Sequence, residues 1–361
     1  MTNRVYNFNP GPSTLPLEVL QTVQDELLDY KGTGMSIMEI SHRSPEYEHI
    51  NNQAIALVKA LMGLGDNYHV IFVGGGASTQ FAHIPLNFLP DKKIAAYVDT
   101  GTWSTKAIKE AQNLGNVHLA ASSKDEGYTY VPMGHEIDYP KDVAYLHMTS
   151  NNTIKGTQYH EFPNSGNVPL ICDMSSDIMS HEVDFNQFAM FYAGAQKNLG
   201  PSGVTLIVLR DDMLGKINEG LPTIFDYRTH TEKKSLFNTP PSFTIYIVKL
   251  VLKWIQGQGG LQAVEANNRK KKDLIYNLID SNPDYFLAPI KKNSRSWMNI
   301  VFRLTSEDLE QKFISEAKAD GFIGLKGHRS VGGIRVSLYN AMTLEGTQKV
   351  ADFMENFRKN N

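Results

Sequence analysis

The sequence predicts an α/β fold with a large domain built on a mostly parallel sheet, followed by a smaller C-terminal α/β domain. Apolar strand-like runs alternate with helical segments through most of the chain, which is typical of right-handed crossovers and of helices on both faces of a sheet. Polar clusters follow directly after several of these runs. A second, shorter series of helices and strands begins after Gly259 and Gly260.

The first elements are predicted to be helices. After the turn-forming segment FNPGPSTLP, the run LEVLQTVQDELLDY has the apolar repeat of an amphipathic helix. A second helix, PEYEHINNQAIALVKALMGL, has Pro45 near its first turn. Strands and helices then alternate, as in HVIFVGGG with STQFAHIPLNFL and KIAAYVDTG with WSTKAIKEAQNLG. The remaining strand candidates are VAYLHMTSNNT, VPLICDMSSD, FAMFYAGAQK and GVTLIVLR.

The predicted C-terminal domain follows a long apolar helix, SFTIYIVKLVLKWIQGQGG, which ends at Gly259 and Gly260. Its elements are LQAVEANNRKKKDLIYNLIDSN, MNIVFRL, SEDLEQKFISEAKADG, GIRVSLYN and TLEGTQKVADFMENFRKN, alternately helix and strand. We therefore place the large domain at residues 1–258 and the small domain at residues 259–361. Roughly the first 15 residues are expected to form an arm that packs on the small domain.

Composition excludes several classes of function. The formal net charge of -3 argues against a general binder of nucleic acid or of membrane surfaces. The single cysteine, Cys172, rules out an intramolecular disulfide and a cysteine-based metal cluster, and the histidines lack metal-ligand spacing. We expect no metal site. The N-terminal stretch has no apolar leader, and no apolar run approaches membrane-spanning length, so we expect a cytoplasmic protein.

The stretch YAGAQKNLGPSG places Lys197 at the end of a buried strand. Loss of water disfavours the ammonium form, so the pKa of Lys197 should fall. Asp173 ends the preceding strand candidate, VPLICD, and a buried carboxylate there needs a positive or hydrogen-bond-donating partner. Because ligands bind beyond the carboxyl ends of parallel strands, both side chains should face one crevice.

Two further features point to the ligand of this crevice. FVGGGASTQF has the strand, glycine turn and helix start of an anion site, but lacks the lysine of a nucleotide-binding loop. Trp103 opens a helix after a strand, where an indole can stack on a flat ring. An amine, a carboxylate, a phosphate cradle and a stacking aromatic together match pyridoxal 5'-phosphate, with Lys197 forming an imine to its aldehyde.

The chain resembles the phosphoserine aminotransferase family, a class-V group of the fold-type I pyridoxal-phosphate enzymes. The similar stretches run through the whole length in the family's order: FNPGP, SIMEISHRS, AGAQKNLGPSG, FNTPPSF, RSWMNI and KGHRSVGGIRVSLYNA. The resemblance implies transfer of an amino group from L-glutamate to 3-phosphohydroxypyruvate, in L-serine biosynthesis. It leaves open whether 4-phosphohydroxy-L-threonine, an intermediate of pyridoxine (vitamin B6) biosynthesis, is also a substrate.

The resemblance also implies roles for individual residues. Lys197 would carry the cofactor, Asp173 would pair with its ring nitrogen, Trp103 would stack on the ring and Thr153 would bond to its polar edge. The cofactor phosphate would be bound by Gly76, Ala77, Ser78 and Gln196, and by Asn238 and Thr239 of a second subunit. The enzyme would then be a homodimer with shared active sites, and we expect the apolar helix after NTPP to be exposed for that interface.

The motif HRS occurs twice, at residues 42–44 and 328–330, in loops near opposite ends of the chain. Arg335 lies close to the second copy. Several cations converging in an acidic protein would attract a small polyanion, and the arginine fork suits carboxylate and phosphate. By resemblance, Arg335 binds the substrate α-carboxylate. The substrate phosphate or distal carboxylate would be held by His42, Arg43, His328 and Arg329, with the first pair coming from the partner.

Three other functions compete with this interpretation. A cysteine desulfurase needs a nucleophilic thiol on a mobile loop, whereas Cys172 ends an apolar strand. Transamination of alanine and glyoxylate would not need the second cationic cluster. A non-catalytic protein that binds a phosphorylated metabolite would explain the cations but would leave Lys197 and Asp173 without a role.

Overall fold

The computed structural model describes residues 4–361. The strands are β1 (Tyr6–Asn7), β2 (Tyr68–Gly74), β3 (Ile94–Asp99), β4 (Asn116–Ser122), β5 (Val143–Thr149), β6 (Asn151–Asn152), β7 (Thr157–Gln158), β8 (Leu170–Asp173), β9 (Met190–Gly194), β10 (Val204–Arg210), β11 (Asn299–Phe302), β12 (Phe322–Ile323) and β13 (Ile334–Ser337). The helices are α1 (Leu17–Glu26), α2 (Pro45–Met62), α3 (Ala77–Phe88), α4 (Thr102–Gln112), α5 (Tyr227–Glu232), α6 (Ser242–Gly257), α7 (Gly260–Ser281), α8 (Glu307–Ala319) and α9 (Leu344–Asn360).

A seven-stranded sheet forms the centre of the molecule, with the strand order β2-β10-β9-β8-β5-β3-β4. Strand β10 runs antiparallel to both of its neighbours, whereas the other pairings are parallel. The predicted mostly parallel sheet is therefore confirmed. Its order makes β8 and β9 adjacent, so that the strand ending at Asp173 lies beside the strand that leads to Lys197.

The sheet is buried on both faces. Leu146, Cys172 and Phe191 pack in one apolar cluster, whereas Ile171 and Tyr192 pack in another. This alternation follows from the two-residue period of a strand, and it explains why the central strands are continuous apolar runs. Helices on each face complete the layered arrangement that the sequence predicts.

The C-terminal part has a core of its own, which includes Phe313, Val336 and Met354. Strands β11 and β13 pair antiparallel within it, and β1 pairs in parallel with β12. Phe8 is fully buried in this C-terminal core. Leu261, in the first turn of α7, packs instead in the core of the large sheet. The division at residue 259 stays a prediction.

Helix α6 differs from its predicted exposure. Its apolar residues Tyr246, Val251 and Leu252 are buried within the same chain, where α6 packs against α2. The expectation of an exposed apolar face was wrong because a helix that is apolar on most sides is covered by its own domain. Within residues 4–361, neither α6 nor another helix combines the length and apolar character that a membrane crossing requires.

Candidate active site

The candidate site lies at the carboxyl edge of the sheet. Strands β3, β5, β8 and β9 are parallel to one another. Strand β2 runs in the same direction, because β10 lies between β2 and β9 in the sheet and is antiparallel to both. The polar clusters that follow these strands consequently share one edge, as expected for a ligand crevice in an open α/β sheet. Lys197 is on the loop between β9 and β10.

The Lys197 amine is held at the centre of this edge. Its Nζ donates a hydrogen bond of 2.7 Å to Oγ1 of Thr153. Burial lowers the pKa of Lys197 to about 8, against the opposing effect of the nearby Asp173 and Asp177 carboxylates. The positive charge of Arg335 lowers it further. The fall in pKa that the sequence predicts follows from desolvation, and roughly a tenth of the amine is uncharged at pH 7.

The N-terminal segment holds the backbone on which Lys197 lies. Ser13 N–H donates to the carbonyl of Gln196 at 2.9 Å, and the Ser13 hydroxyl donates to the carbonyl of Lys197 at 2.5 Å. A Cβ atom at Gly11 would lie in ordinary van der Waals contact with Cγ of Lys197, at 3.4 Å. The glycine of FNPGP is explained instead by its φ of +141°, a backbone conformation in which a larger residue would be strained.

Asp173 is only 4% exposed and ends β8 beside the lysine loop. Its Oδ1 accepts a hydrogen bond of 2.9 Å from the Ser175 N–H. Burial raises the pKa of Asp173, while Ser175 and the charge of Lys197 act in the opposite direction. No lysine, arginine or histidine nitrogen of residues 4–361 lies within 4.0 Å of this carboxylate. Its oxygens can therefore receive a charged donor from a ligand.

A second buried acid, Asp177, was missed by the sequence analysis. It accepts hydrogen bonds from the Ser150 hydroxyl and from Gln158 Nε2. Burial raises the pKa of Asp177 to about 7, and the neighbouring Asp173 raises it further. The motif DMSSD contains both acids, but only the turn after β8 brings the second one back toward Lys197.

Trp103 lies in the first turn of α4, with its indole ring centre 5.9 Å from Nζ of Lys197. Asp99 and Ser104 hold this turn, since the Ser104 hydroxyl donates to Asp99 at 2.8 Å and accepts from the Gly101 N–H at 2.9 Å. The indole Nε1 of Trp103 is buried and has no partner within residues 4–361. Lys106 also approaches the ring, to 4.6 Å from its centre, and sequence reasoning missed it.

The glycine turn leads into α3. Gly75 has φ +104°, and a Cβ there would collide with Oγ1 of Thr79 at 2.5 Å. Gly76 precedes the helix without a side-chain cap, and Ala77 and Ser78 form its first turn. The N–H groups of such a turn lack intrahelical acceptors and can bind an anion.

Three other predicted phosphate ligands have less defined surroundings. Gln196 lies directly before Lys197 and is half-buried. Asn238 and Thr239 are exposed and line a cavity of about 250 Å³ together with Gly74 and Thr79 of the same chain. Their predicted contribution to the site of a second subunit stays a prediction.

The C-terminal cations are brought to the same crevice. Arg335 is buried and donates from Nη1 to the carbonyl of Thr153 at 3.2 Å, whereas its Nε has no partner within the described chain. A hydrogen bond of 2.7 Å joins Nδ1 of His328 to the hydroxyl of Ser330. Burial lowers the pKa of His328, and the positive charges of Arg335, Arg329 and Lys106 lower it further.

The first HRS motif lies at the start of α2. His42 and Arg43 lie just before α2, and Ser44 caps that helix. His42 Nε2 is buried without a partner in the described chain, and Arg43 is exposed. No hydrogen bond or ion pair within residues 4–361 joins this pair to Lys197. The second pair is connected to the crevice through the effect of Arg335 on His328, whereas the role predicted for His42 and Arg43 stays a prediction.

The arrangement fits pyridoxal 5'-phosphate. The crevice presents an amine of lowered pKa, a buried carboxylate without a cationic partner, an indole and a helix start suited to phosphate. Trp103 and Arg335 each have a buried nitrogen without a hydrogen-bond partner in the described chain. Because buried donors are normally hydrogen-bonded, these two nitrogens indicate that a ligand binds here. Cys172 is fully buried, and burial raises the pKa of its thiol, which disfavours a nucleophilic thiolate.

Comparison with known proteins agrees with this chemistry. A family model described as aminotransferase class-V matches residues 5–350. The phosphoserine aminotransferase of Desulfatibacillum aliphaticivorans is 54% identical over 363 residues, covering 100% of both proteins. Among solved structures, phosphoserine aminotransferase from Bacillus circulans subsp. alkalophilus has a TM-score of 0.98 at 52% identity and covers 99% of each chain. The PLP-bound phosphoserine aminotransferase from Trichomonas vaginalis has a TM-score of 0.92 at 35% identity, covering 98% of this chain and 100% of its own.

Fold and site together define a pyridoxal-phosphate-dependent transaminase of fold-type I, as the sequence predicts. The chain belongs to the class-V aminotransferase family, and the three full-length relatives described above are phosphoserine aminotransferases.

Proposed function

We propose that this transaminase transfers the amino group of L-glutamate to 3-phosphohydroxypyruvate, forming 2-oxoglutarate and O-phospho-L-serine for L-serine biosynthesis. One observation carries the proposal: Lys197 and Arg335 are held by the same residue, Thr153. An amine and a guanidinium so arranged can address the nitrogen and carboxylate of one amino acid. The 54% identity with a phosphoserine aminotransferase supports a phosphorylated substrate.

Bound pyridoxal phosphate supplies an aldehyde that captures the substrate amine and a protonated ring that accepts the electrons of the broken Cα–H bond. Lys197 would hold the aldehyde carbon, and Asp173 would keep the ring nitrogen protonated. Trp103 would cover one face of the ring, and the Thr153 hydroxyl would donate to its polar edge. The cofactor phosphate would be held by Gly76, Ala77, Ser78 and Gln196, and by Asn238 and Thr239 of a partner subunit.

Lys197 is also the proposed general base. With a pKa of about 8, its amine is uncharged in an appreciable fraction of molecules at neutral pH. The Nζ atom can then accept the proton of the substrate Cα and later return it to the carbon derived from the aldehyde. Asp173 is too deeply buried to exchange protons with solvent readily, so its part is electrostatic.

The cations would select the substrates. Arg335 would form a charge-assisted pair with the α-carboxylate that both amino acids share. His328 and Arg329, near it in the chain, would hold either the phosphate of phosphoserine or the distal carboxylate of glutamate. His42 and Arg43 would complete that patch from a second subunit. A patch of separate flexible cations accepts both anions more readily than a rigid carboxylate pocket does.

A homodimer is part of the proposal. Large exposed apolar side chains occur next to both segments that would act on a partner's site. Met35 and Met38 precede His42, and Leu28 in the same segment is 84% exposed. Phe225 and Phe237 precede Asn238. Exposed apolar groups of this kind are typical of interfaces. The proposed location is the cytoplasm, consistent with the free thiol of Cys172.

The proposed reaction can be tested by separate half-reactions. L-glutamate added to the protein loaded with pyridoxal phosphate should remove the absorbance of the lysine-bound cofactor and release 2-oxoglutarate. Subsequent 3-phosphohydroxypyruvate should restore that absorbance and release O-phospho-L-serine. Borohydride should fix the cofactor mass on Lys197. A protein that converts glutamate but distinguishes poorly between 3-phosphohydroxypyruvate and pyruvate would contradict the assignment. 4-Phosphohydroxy-L-threonine, tested in parallel, would decide whether it is a second substrate.

A further inference from the structure

Lys271, on α7, is a buried lysine for which the proposed reaction has no role. Its side chain is 0% exposed, and its Nζ donates to the backbone carbonyls of Leu338, Tyr339 and Met342 at 3.2, 2.9 and 3.0 Å. No carboxylate of residues 4–361 lies within 4.0 Å of it. Burial lowers the pKa of Lys271 to about 7. Burial of an ammonium group is unfavourable in free energy, and the three hydrogen bonds to backbone carbonyls offset part of that cost.

The three carbonyls belong to the turn of residues 338–342, which follows β13 and begins three residues after Arg335. Met342 closes the turn by donating its N–H to the Tyr339 carbonyl at 2.9 Å. All three donors of the ammonium are thus spent on one turn. Such a turn has few ways to rearrange while Lys271 holds it.

The same turn contacts the loop that carries Lys197. The Asn340 N–H donates to Oδ1 of Asn198 at 3.0 Å, and Asn340 Nδ2 donates to the carbonyl of Met179 at 2.9 Å. Asn198 immediately follows Lys197 in the chain. Asn268, one helical turn before Lys271, donates to Oδ1 of Asn340 at 2.9 Å.

Tyr339 provides a further contact between the turn and the crevice. Its hydroxyl donates to the Pro10 carbonyl at 2.8 Å and accepts from Nδ2 of Asn299 at 3.2 Å. The turn is consequently bound on one side to α7 and on the other to the segments around the lysine. The turn therefore connects the end of β13, the strand that carries Arg335, to the loop that carries Lys197.

We propose that Lys271 is a positioning residue for transamination, which clamps the 338–342 turn and thereby fixes the distance between Arg335 and Lys197. This inference rests on the proposed function, since it assumes that Arg335 binds the α-carboxylate of a substrate whose nitrogen reacts at Lys197. Displacement of one anchor by about 1 Å can cost on the order of 100-fold in rate. Loss of the Lys271 contacts should therefore affect only ligands that bind to both Arg335 and Lys197.

The test is Lys271→Met, which keeps an unbranched side chain, shorter by the terminal nitrogen, and removes its three donors. We expect kcat/KM to fall at least tenfold with both O-phospho-L-serine and L-glutamate. O-Phosphoethanolamine, which carries the amine and the phosphate but no carboxylate, should inhibit with a constant changed less than twofold. Lys270→Met, at the exposed neighbouring position, is the matched control and should leave all three values within twofold.

Thermal unfolding and cofactor absorbance are recorded for each variant. If Lys271→Met is not obtained folded, Lys271→Gln, which keeps two N–H donors, should show the same selective loss to a smaller extent. A folded Lys271 variant with unchanged kcat/KM, or one that loses equally toward all three ligands, would overturn the proposal. Failure of the wild-type protein to convert O-phospho-L-serine would instead refute the proposed function, which separates the two outcomes.

Discussion

Lys197 and Arg335 are both bound to Thr153, the first through the side-chain hydroxyl at 2.7 Å and the second through the backbone carbonyl at 3.2 Å. Thr153 follows β5 at the carboxyl edge of the sheet, whereas Arg335 comes from the C-terminal part of the chain. The reactive amine and the guanidinium are thereby positioned against one fixed point. An α-amino acid, with one carbon between its nitrogen and its carboxylate, matches such a pair.

Lys197→Ala should abolish turnover, with a loss of at least about 1,000-fold, because it removes both the covalent attachment and the base. The absorbance of the lysine-bound cofactor should disappear from the purified protein. Lys109→Ala, at an exposed position on α4, serves as the control and should retain both. A Lys197→Ala protein that keeps its absorbance and turnover would show that another amine carries the cofactor.

Arg335→Ala should weaken both half-reactions, since phosphoserine and glutamate share the α-carboxylate. Loss of a charged hydrogen bond costs about 2 kcal/mol, or roughly 30-fold in kcat/KM.

Arg329→Ala should reduce kcat/KM more for O-phospho-L-serine than for L-alanine, which has no second anion. Steady-state kinetics with these substrates measure the difference. Equal losses for the charged and the neutral substrate would contradict the role of Arg329.

The reactivity of Lys197 should follow its lowered pKa. Below about pH 8 the side chain is mainly the unreactive ammonium, and above it the free amine predominates. The Asp177 carboxylate favours the ammonium and therefore raises the pKa of Lys197. Asp177→Asn removes that charge, so the midpoint of reactivity should move to lower pH.

Labelling of the cofactor-free protein with acetic anhydride over a range of pH, followed by peptide mass spectrometry, measures this midpoint. The exposed Lys109 is labelled in the same samples and corrects for decay of the reagent. A midpoint that moves upward in Asp177→Asn, or does not move, would show that Asp177 does not act on Lys197 electrostatically.

Shared active sites predict complementation between two inactive variants. If Arg43 acts on the partner's site, a hybrid dimer of Lys197→Ala and Arg43→Ala subunits contains one intact site and one doubly altered site. Random exchange makes about half of the dimers hybrid, so about a quarter of the sites should be active. If Arg43 acts within its own chain, no hybrid has an intact site. Activity after mixing and dialysis distinguishes the two arrangements.

Much of the fold was predictable because it depends on local patterns. The strand-like runs ending at Asp173 and before Lys197 are apolar throughout, and such runs indicate buried parallel strands. Pairing of β8 with β9 then follows from the usual adjacency of consecutive strands. The exposure of α6 was mispredicted, because an apolar face does not reveal whether its partner is the same chain or another molecule.

The candidate site was predictable in part. Lys197 and Asp173 were found because a charged residue at the end of an apolar strand is unusual and marks a buried ionisable group. Lys271 was not found, since in the stretch RKKKDL it looks like one of several solvated lysines. Only helix packing shows that it is fully buried while its neighbour Lys270 is exposed.

The sequence by itself determined the layered α/β architecture, the crevice at the strand ends and the chemical type of its ligand. These features follow from apolar runs and short motifs, which can be recognised within a few consecutive residues. The tertiary structure alone decided that Thr153 joins the amine to Arg335, and that His328 comes close enough to Arg335 and Lys106 to be affected by their charges. These contacts join residues far apart in the sequence. Their geometry depends on how whole elements pack, which no local pattern records.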